Sequence, residues 1–369
     1  MVIGIPKELK AQENRVAAIP PSVERFAAAG HTVLIQRGAG EGSGFSDQEY
    51  LAAGARVLDT AKEVYAAADM IYKVKEPLEP EYALLREGQI VFAYLHLAPD
   101  PAQTKALMNA GVSAVAFETV QLANGSLPLL APMSEVAGRI APQIGAALLQ
   151  KINNGSGILL GGVPGVAPGH VVVIGAGTVG TGAARIAAGL GARVTVLDIS
   201  AERLARVEEL LAGRAETLTS NSQNIAGAVR QADLLIGAVL VAGAKAPTLV
   251  TEEMVKTMRP GSVIVDIAID QGGVVETVDH ATSHQDPYYI RHGVVHYSVP
   301  NIPGAVPRTS TLALSNATTP YALRLADKGL EGAMREDAAL LKGLNTYKGK
   351  IACEAVAVAQ GLAYEPIAL

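Results

Sequence analysis

Tryptophan is absent from the 369 residues, and only 4 phenylalanines and 11 tyrosines are present. A core so poor in rings must be filled by Ala, Val, Ile and Leu, which suits buried parallel strands packed under small-residue helices. A single cysteine, Cys353, rules out an internal disulfide, and a chain of this length needs none. Its setting, Ile351-Ala-Cys-Glu-Ala-Val, reads as a small core or interface residue and not as a nucleophile. Charged residues are only 18% of the chain, the net charge is -5 and no basic cluster occurs, so nucleic acid is not an expected partner. Long apolar runs are missing as well. The most apolar window, Gly157 to Gly177, is broken by Pro164, Pro168 and His170, short of the ~20 residues a spanning helix needs. The opening Met-Val-Ile-Gly-Ile-Pro-Lys-Glu has neither the basic start nor the apolar stretch of a secretory leader. We therefore expect a cytoplasmic protein with no membrane segment.

Hydrophobic residues, by contrast, make up 49% of the chain, enough apolar surface to offset the entropy of ordering the backbone. Glycine is in excess at 38 residues, about a tenth of the chain against a usual ~7%. At ~100 to 200 residues per domain the length predicts two domains or three.

Short β-rich runs alternate with helical stretches from the first residue. Strands are expected at Val2 to Ile5, Thr32 to Ile35, Ala68 to Val74, Gly88 to Leu95 and Gly111 to Glu118, with a helix over Ser22 to Ala29. Such alternation predicts right-handed βαβ units on a mostly parallel sheet. A long Ala-rich helix is expected over Ser134 to Lys151, capped by Ser134. After the Gly- and Pro-rich segment 153–169 a second series begins, with strands at His170 to Ile174, Ala192 to Asp198, Ala232 to Val239 and Gly261 to Ala268. A third, mainly helical block starts near Arg308. The expected class is α/β, with two doubly wound Rossmann-like domains, a cleft between them and C-terminal helices. We expect a discontinuous substrate domain over 1–128 and 306–369, with a nucleotide-binding domain inserted at 129–305.

The strand His170 to Ile174 runs into Gly175-Ala-Gly177-Thr-Val-Gly180 and then into an Ala-rich helix. In this context the first glycine makes the tight turn, the second admits a pyrophosphate against the backbone, and the third lets helix pack on strand. Asp198 closes the next strand about 20 residues on, where a carboxylate accepts hydrogen bonds from an adenosine ribose. That carboxylate would repel a 2′-phosphate, so NAD is favoured over NADP. Arg203, one turn into the next helix, is placed where it could meet a phosphate, although an exposed helical Arg is ordinarily solvated.

In open α/β sheets ligands bind beyond the carboxyl ends of the strands. Four polar residues follow strands there: Arg15, Lys75, His96 and Asp270. Singly each has an ordinary alternative, a surface charge for Arg15 and Lys75, a buried structural imidazole for His96 and a loop cap for Asp270. Jointly, two cations can hold a carboxylate and polarise an oxyanion, a histidine can shuttle a proton near neutral pH, and a carboxylate can orient water or ammonia. His280 and His284 have a metal-like spacing, but their polar loop offers no ligand set, and no metal is expected. His31, His170, His292 and His296 border strands and receive no chemistry, and no Ser/His/Asp or Cys/His arrangement can be argued.

These residues belong to an ordered series: Gly4-Ile-Pro-Lys-Glu-Leu-Lys, Glu13-Asn-Arg-Val-Ala, Lys73-Val-Lys-Glu-Pro, Tyr94-Leu-His-Leu-Ala, Met133-Ser-Glu-Val-Ala-Gly-Arg, Asp266-Ile-Ala-Ile-Asp-Gln-Gly-Gly, His296-Tyr-Ser-Val-Pro-Asn and Pro303-Gly-Ala-Val-Pro-Arg-Thr-Ser-Thr. The series resembles the alanine dehydrogenases over essentially the whole chain. The resemblance implies reversible oxidative deamination of L-alanine by NAD+ and water to pyruvate, ammonia and NADH. It implies that Arg15 and Lys75 bind the substrate's carboxylate and carbonyl region, that His96 is the general acid/base, and that Asp270 positions water or ammonia. It further implies that Ser134, Gly175, Gly177, Thr178, Val179, Gly180, Asp198, Ile199, Arg203, Ser220, Val239, Leu240, Ile267, Asp270, Asn301 and Ile302 line the cofactor, and that the assembly is a homohexamer.

The chain departs from the pattern in three places. Asp279-His280 stands where the family often has Arg-Pro, so one basic contact to the cofactor is missing or replaced. Ser298 and Ile302 stand where Cys and Met are common. The competing reading is the soluble NAD(H)-binding component of a proton-translocating transhydrogenase, which shares the two-domain plan but has no use for Lys75, His96 and Asp270 together. A non-catalytic NAD-responsive module would bind cofactor without turnover.

Overall fold

The computed structural model describes residues 1–239 and 246–367. Contacts divide the chain into two units, Met1–Met133 with Val306–Leu369, and Ser134–Ala305. Strands occur in chain order as β1 Val2–Ile5, β2 Thr32–Gln36, β3 Arg56–Leu58, β4 Met70–Tyr72, β5 Ile90–Ala93, β6 Ser113–Ala116, β7 His170–Ile174, β8 Arg193–Asp198, β9 Glu216–Thr219, β10 Leu234–Gly237, β11 Val263–Asp266, β12 Tyr288–Arg291, β13 Val294–Tyr297, β14 Leu344–Tyr347 and β15 Lys350–Ile351.

In the first unit the sheet order is β15-β14-β6-β5-β4-β1-β2-β3. Strands β1 to β6 run parallel and β14 and β15 add an antiparallel edge. In the second the order is β12-β13-β11-β10-β7-β8-β9, parallel except for β12. The α/β class expected from the alternation is therefore met. The central strands β4, β5, β7, β10 and β11 are buried at every position, as strands covered by helices on both faces must be. Their Ile, Val, Leu and Ala content is why so few aromatic rings suffice.

The sequence reading missed β3, β9, β12, β13, β14 and β15. Four of these are the sheet edges, where one backbone side lacks a neighbour and polar side chains such as those of Glu216-Thr-Leu-Thr keep the edge from pairing further. The third block is helical over Pro307–Glu336, two helices that meet at a kink at Gly329, followed by the antiparallel pair β14 and β15 and short helices. Buried hydroxyls fasten the long helix to the helix Pro20–Ala28: the Ser22 and Ser315 Oγ atoms lie 2.9 Å apart, and Thr319 donates to Ser22 at 2.8 Å. The helix expected from Ser134 starts at Ala131 and ends at Leu148. Among the described residues no helix is long and apolar enough to cross a membrane.

Candidate functional site

In the first unit β1 lies between β2 and β4, so successive connections leave it in opposite directions and open a crevice at the carboxyl ends. The loop after β1 carries Glu8, Glu13 and Arg15, the residues after β4 include Lys73 and Lys75, β5 leads to Tyr94 and His96, and β6 leads to Glu118.

Arg15 is only 2% exposed. Its Nε donates to Glu13 Oε1 at 2.7 Å, its Nη2 to Glu13 Oε2 at 2.5 Å, and its Nη1 faces Met133 Sδ at 3.1 Å. Burial works against the guanidinium's charge, but the Glu13 carboxylate more than compensates and raises its pKa above the usual value. The two lysines of Lys73-Val-Lys75 have different fates. Lys73 is buried, 2.6 Å from Glu81 and 3.6 Å from Glu8, whereas Lys75 is half-buried. Glu8 also accepts the Val74 N–H at 2.7 Å, and burial, opposed by Lys73, pushes its carboxyl up to about 7.

His96 is not a buried structural imidazole: its side chain is 46% exposed although Leu95 and Leu97 on either side are buried. Its φ is +48°, a left-handed conformation that costs energy in a residue other than glycine. Its ring stacks on Tyr94 with centroids 5.9 Å apart, and the Tyr94 hydroxyl donates to the Leu129 carbonyl at 2.6 Å. Glu118 accepts the His96 N–H at 2.6 Å and the Leu95 N–H at 3.2 Å.

The second unit switches direction between β7 and β10, and the glycine turn follows β7. Gly175 has φ +106°. A Cβ on Gly180 would lie 1.7 Å from the Gly175 carbonyl oxygen, so turn and helix Thr178–Gly189 interlock there. A Cβ on Gly177 would meet nothing within 4 Å. The fold itself thus does not demand glycine at 177, and the space left beside the helix N-terminus suits a phosphate. Thr178 and Val179 open that helix. A Cβ on Gly138 would lie 2.2 Å from the Val179 carbonyl oxygen, so the helix Ala131–Leu148, which carries half-buried Ser134, presses directly on it.

Asp198 is 6% exposed. Its Oδ2 accepts the Ala176 N–H at 2.7 Å and its Oδ1 the Ser200 N–H at 2.8 Å, which ties the end of β8 to the glycine turn. Beside it Ile199 is 84% exposed, and Arg203, mostly exposed, approaches Asp198 at 3.9 Å. Ser220 follows β9 and donates its N–H to the Asp198 carbonyl at 2.9 Å. Val239, after β10, is half-buried; Leu240 lies outside the described residues.

Beyond β11 come Ile267 and the 3-10 turn Ile269–Gln271 that carries Asp270. After β13, Asn301 is half-buried and its carbonyl faces His284 Nε2 at 2.9 Å, while Ile302 is 1% exposed within the core of this unit. His280 pairs with Asp279 at 2.6 Å and stacks on Tyr289. Arg291 donates to Asp279 at 2.7 Å. His280 and Arg291 together hold the Asp279 carboxyl below the usual range.

Two family models match the sequence, "Alanine dehydrogenase/PNT, N-terminal domain" over residues 4–137 and "Alanine dehydrogenase/PNT, C-terminal domain" over residues 141–354. An alanine dehydrogenase of Methanococcus maripaludis is 60% identical over 99% of this chain and 98% of its own. The chain belongs to the alanine dehydrogenase family. The Bacillus subtilis alanine dehydrogenase is 57% identical over 99% of this chain and 96% of its own. A solved L-alanine dehydrogenase superposes with a TM-score of 0.95 at 53% identity, covering 98% of this chain and 99% of that one. A transhydrogenase from Sinorhizobium meliloti covers 96% of this chain and 100% of its own, with a TM-score of 0.81 and 27% identity. The dehydrogenase reading of the sequence is thus supported, and the transhydrogenase alternative less so.

Glu13, Glu118, Asp266 and Gly138 went unremarked in the sequence reading as parts of a site. Glu13 and Asp266 had a signal available, a carboxylate two or four residues from a singled-out residue inside a recognised motif. Gly138 also lay inside a recognised motif, Met133 to Arg139, whereas Glu118 had no signal, because its partners are distant in sequence.

Proposed function

We propose that the chain catalyses the reversible oxidative deamination of L-alanine with NAD+ as hydride acceptor. Supporting this reading is the coincidence of family membership with the strand-end positions of Arg15, Lys75, His96 and Asp270. Gly177 supports the nucleotide, since a side chain there would obstruct nothing but a ligand.

In this mechanism Arg15, oriented by Glu13, and Lys75 bind the substrate carboxylate and the region that becomes the carbonyl. A bound NAD+ would supply the acceptor for the hydride from the substrate Cα, and His96 accepts the proton of the amino group, so that the substrate becomes the imino acid. Asp270 holds the water that adds across the C=N bond. His96 returns a proton to nitrogen and then takes the hydroxyl proton as the C=O bond forms and ammonia departs, and after pyruvate is released it passes that proton to solvent. Ser134 and Ile199 would line the nucleotide, and Asp198 would accept hydrogen bonds from its adenosine ribose. We extend the proposal to a cytoplasmic homohexamer by resemblance to the family.

The test is alanine-dependent formation of NADH by the purified chain, followed by absorbance from neutral to alkaline pH. Saturable turnover that yields pyruvate and ammonia in equal amounts is expected. Cofactor binding with no turnover at any pH in that range would leave only a binding module.

A further inference from the structure

The last residue of β11, Asp266, is wholly buried. Its Oδ1 accepts the Ala268 N–H at 3.0 Å, and its Oδ2 accepts the N–H groups of Val274 at 2.7 Å and Val275 at 3.1 Å. One carboxylate therefore clasps both ends of the loop 267–275, and between those ends lies the 3-10 turn bearing Asp270. The backbone around it is fitted to this clasp. Gly272 and Gly273 have φ of +91° and +71°. A Cβ on Gly273 would lie 2.9 Å from Asp266 Oδ2, and one on Gly237 would lie 3.0 Å from Oδ1.

Among the described residues no cation pairs with Asp266 within ion-pair distance. A carboxylate buried without a counter-ion is costly, and an apolar side chain would serve the core of β11 better. What three N–H bonds to one carboxylate achieve is geometric: they fix where the loop leaves the sheet and where it returns. Such definition matters where a reacting group is presented, because misplacement by ~1 Å costs ~10²-fold in rate.

We propose that Asp266 is a positioning residue that acts on the reaction through Asp270, by setting the loop from which Asp270 projects. The inference rests on the reading that Asp270 acts on the substrate. Asp266→Asn preserves shape but replaces one acceptor oxygen with a donor, so it cannot receive all three N–H groups.

The experiment measures kcat, KM for alanine and NADH affinity by fluorescence for Asp266→Asn, Asp270→Asn and the double variant. Expected for Asp266→Asn is a fall in kcat of ~10²-fold, with KM and NADH affinity changed less than about threefold. Added to Asp270→Asn it should cost nothing further, because both changes act through one group. Equal losses in both backgrounds, or a kcat for Asp266→Asn within about fivefold of the parent while Asp270→Asn is impaired, would overturn the proposal. A near-normal Asp270→Asn would instead overturn the role of Asp270 itself. Should Asp266→Asn fail to fold, Gly273→Ala, whose Cβ displaces the same carboxylate, is expected to reproduce the kcat-selective loss, and parental kcat in that variant would count against the proposal.

Discussion

Glu118 and His96 are joined through the backbone: the Glu118 carboxylate accepts the His96 N–H at 2.6 Å and lies 3.8 Å from His96 Nδ1. The pairing is made just beyond the strands: Ala93 and Ala116, opposite each other, end β5 and β6, and the 3-10 turn Phe117–Thr119 that follows β6 brings Glu118 beside Leu95 and His96. The carboxylate thereby holds a histidine in a left-handed conformation that its own residue type does not favour.

Replacing Glu118 with Ala should release that conformation and lower kcat by ~10²-fold, with a loss of stability of about 1–3 kcal/mol from the unpaired N–H groups. Glu118→Gln retains an oxygen that can accept both N–H groups, so its stability should stay near the parent's, with kcat within about tenfold. Thermal unfolding and steady-state kinetics on the three proteins decide the matter, and an alanine variant with parental kcat would discard the role.

His96→Ala should abolish turnover while NADH still binds, because His96 belongs to the first unit and the glycine turn to the second. NADH titration by fluorescence provides the check. Loss of affinity in parallel with loss of turnover would make His96 a structural residue.

The Asp198 carboxylate predicts a kcat/KM for NAD at least ~10²-fold above that for NADP. Asp198→Asn should narrow the ratio by removing the charge while Arg203, 3.9 Å away, remains to meet a 2′-phosphate. Equal kcat/KM for the two cofactors in the unaltered protein would contradict this.

Gly180→Ala would place a methyl carbon where only 1.7 Å separates it from the Gly175 carbonyl oxygen. Helix and turn must part, so NADH affinity should fall by at least ~10-fold with a lowered Tm. Gly177→Ala meets no protein atom, and should keep its Tm while losing NADH affinity. An unchanged affinity in Gly177→Ala would argue against a pyrophosphate at that position.

His296 is buried, with Nδ1 against the Val294 carbonyl at 2.9 Å and Nε2 beside the Thr277 hydroxyl at 2.7 Å. Burial lowers its pKa to about 4, so the unfolded chain takes up this proton first as pH falls below ~6.5. Its contribution to stability is complete above ~6.5 and drains away toward pH 4, by about 2 kcal/mol between pH 7 and 5. Asp266, raised by burial to about 6, and Glu8, raised to about 7, act with the opposite sign and lose stability as pH rises. The His296 part is therefore read as the difference between the parent and His296→Gln in denaturant unfolding, which should shrink on acidification. A pH-independent difference would refute it.

The sequence by itself determined the features that contiguous residues control. Val2–Ile5 and His170–Ile174 are strands because apolar β-branched runs bury on both faces, and the turn from Gly175 to Gly180 follows because only glycine fits the positive φ at 175 and the crowding at 180. Asp198 and the strand-end placement of Arg15, Lys75, His96 and Asp270 were legible for the same reason, each following directly from where a strand stops. Tertiary structure alone decided which polar groups meet. Glu118 reaches His96 through the 3-10 turn that follows β6, Lys73 is neutralised inside by Glu81 and Glu8, Gly138 admits the helix that opens at Thr178, and the edge strand β9 adds to a sheet that its polar sequence does not announce. Local conformation is set by neighbours in the chain, whereas a buried charge or an edge strand finds its partner only once separate strands have been laid side by side.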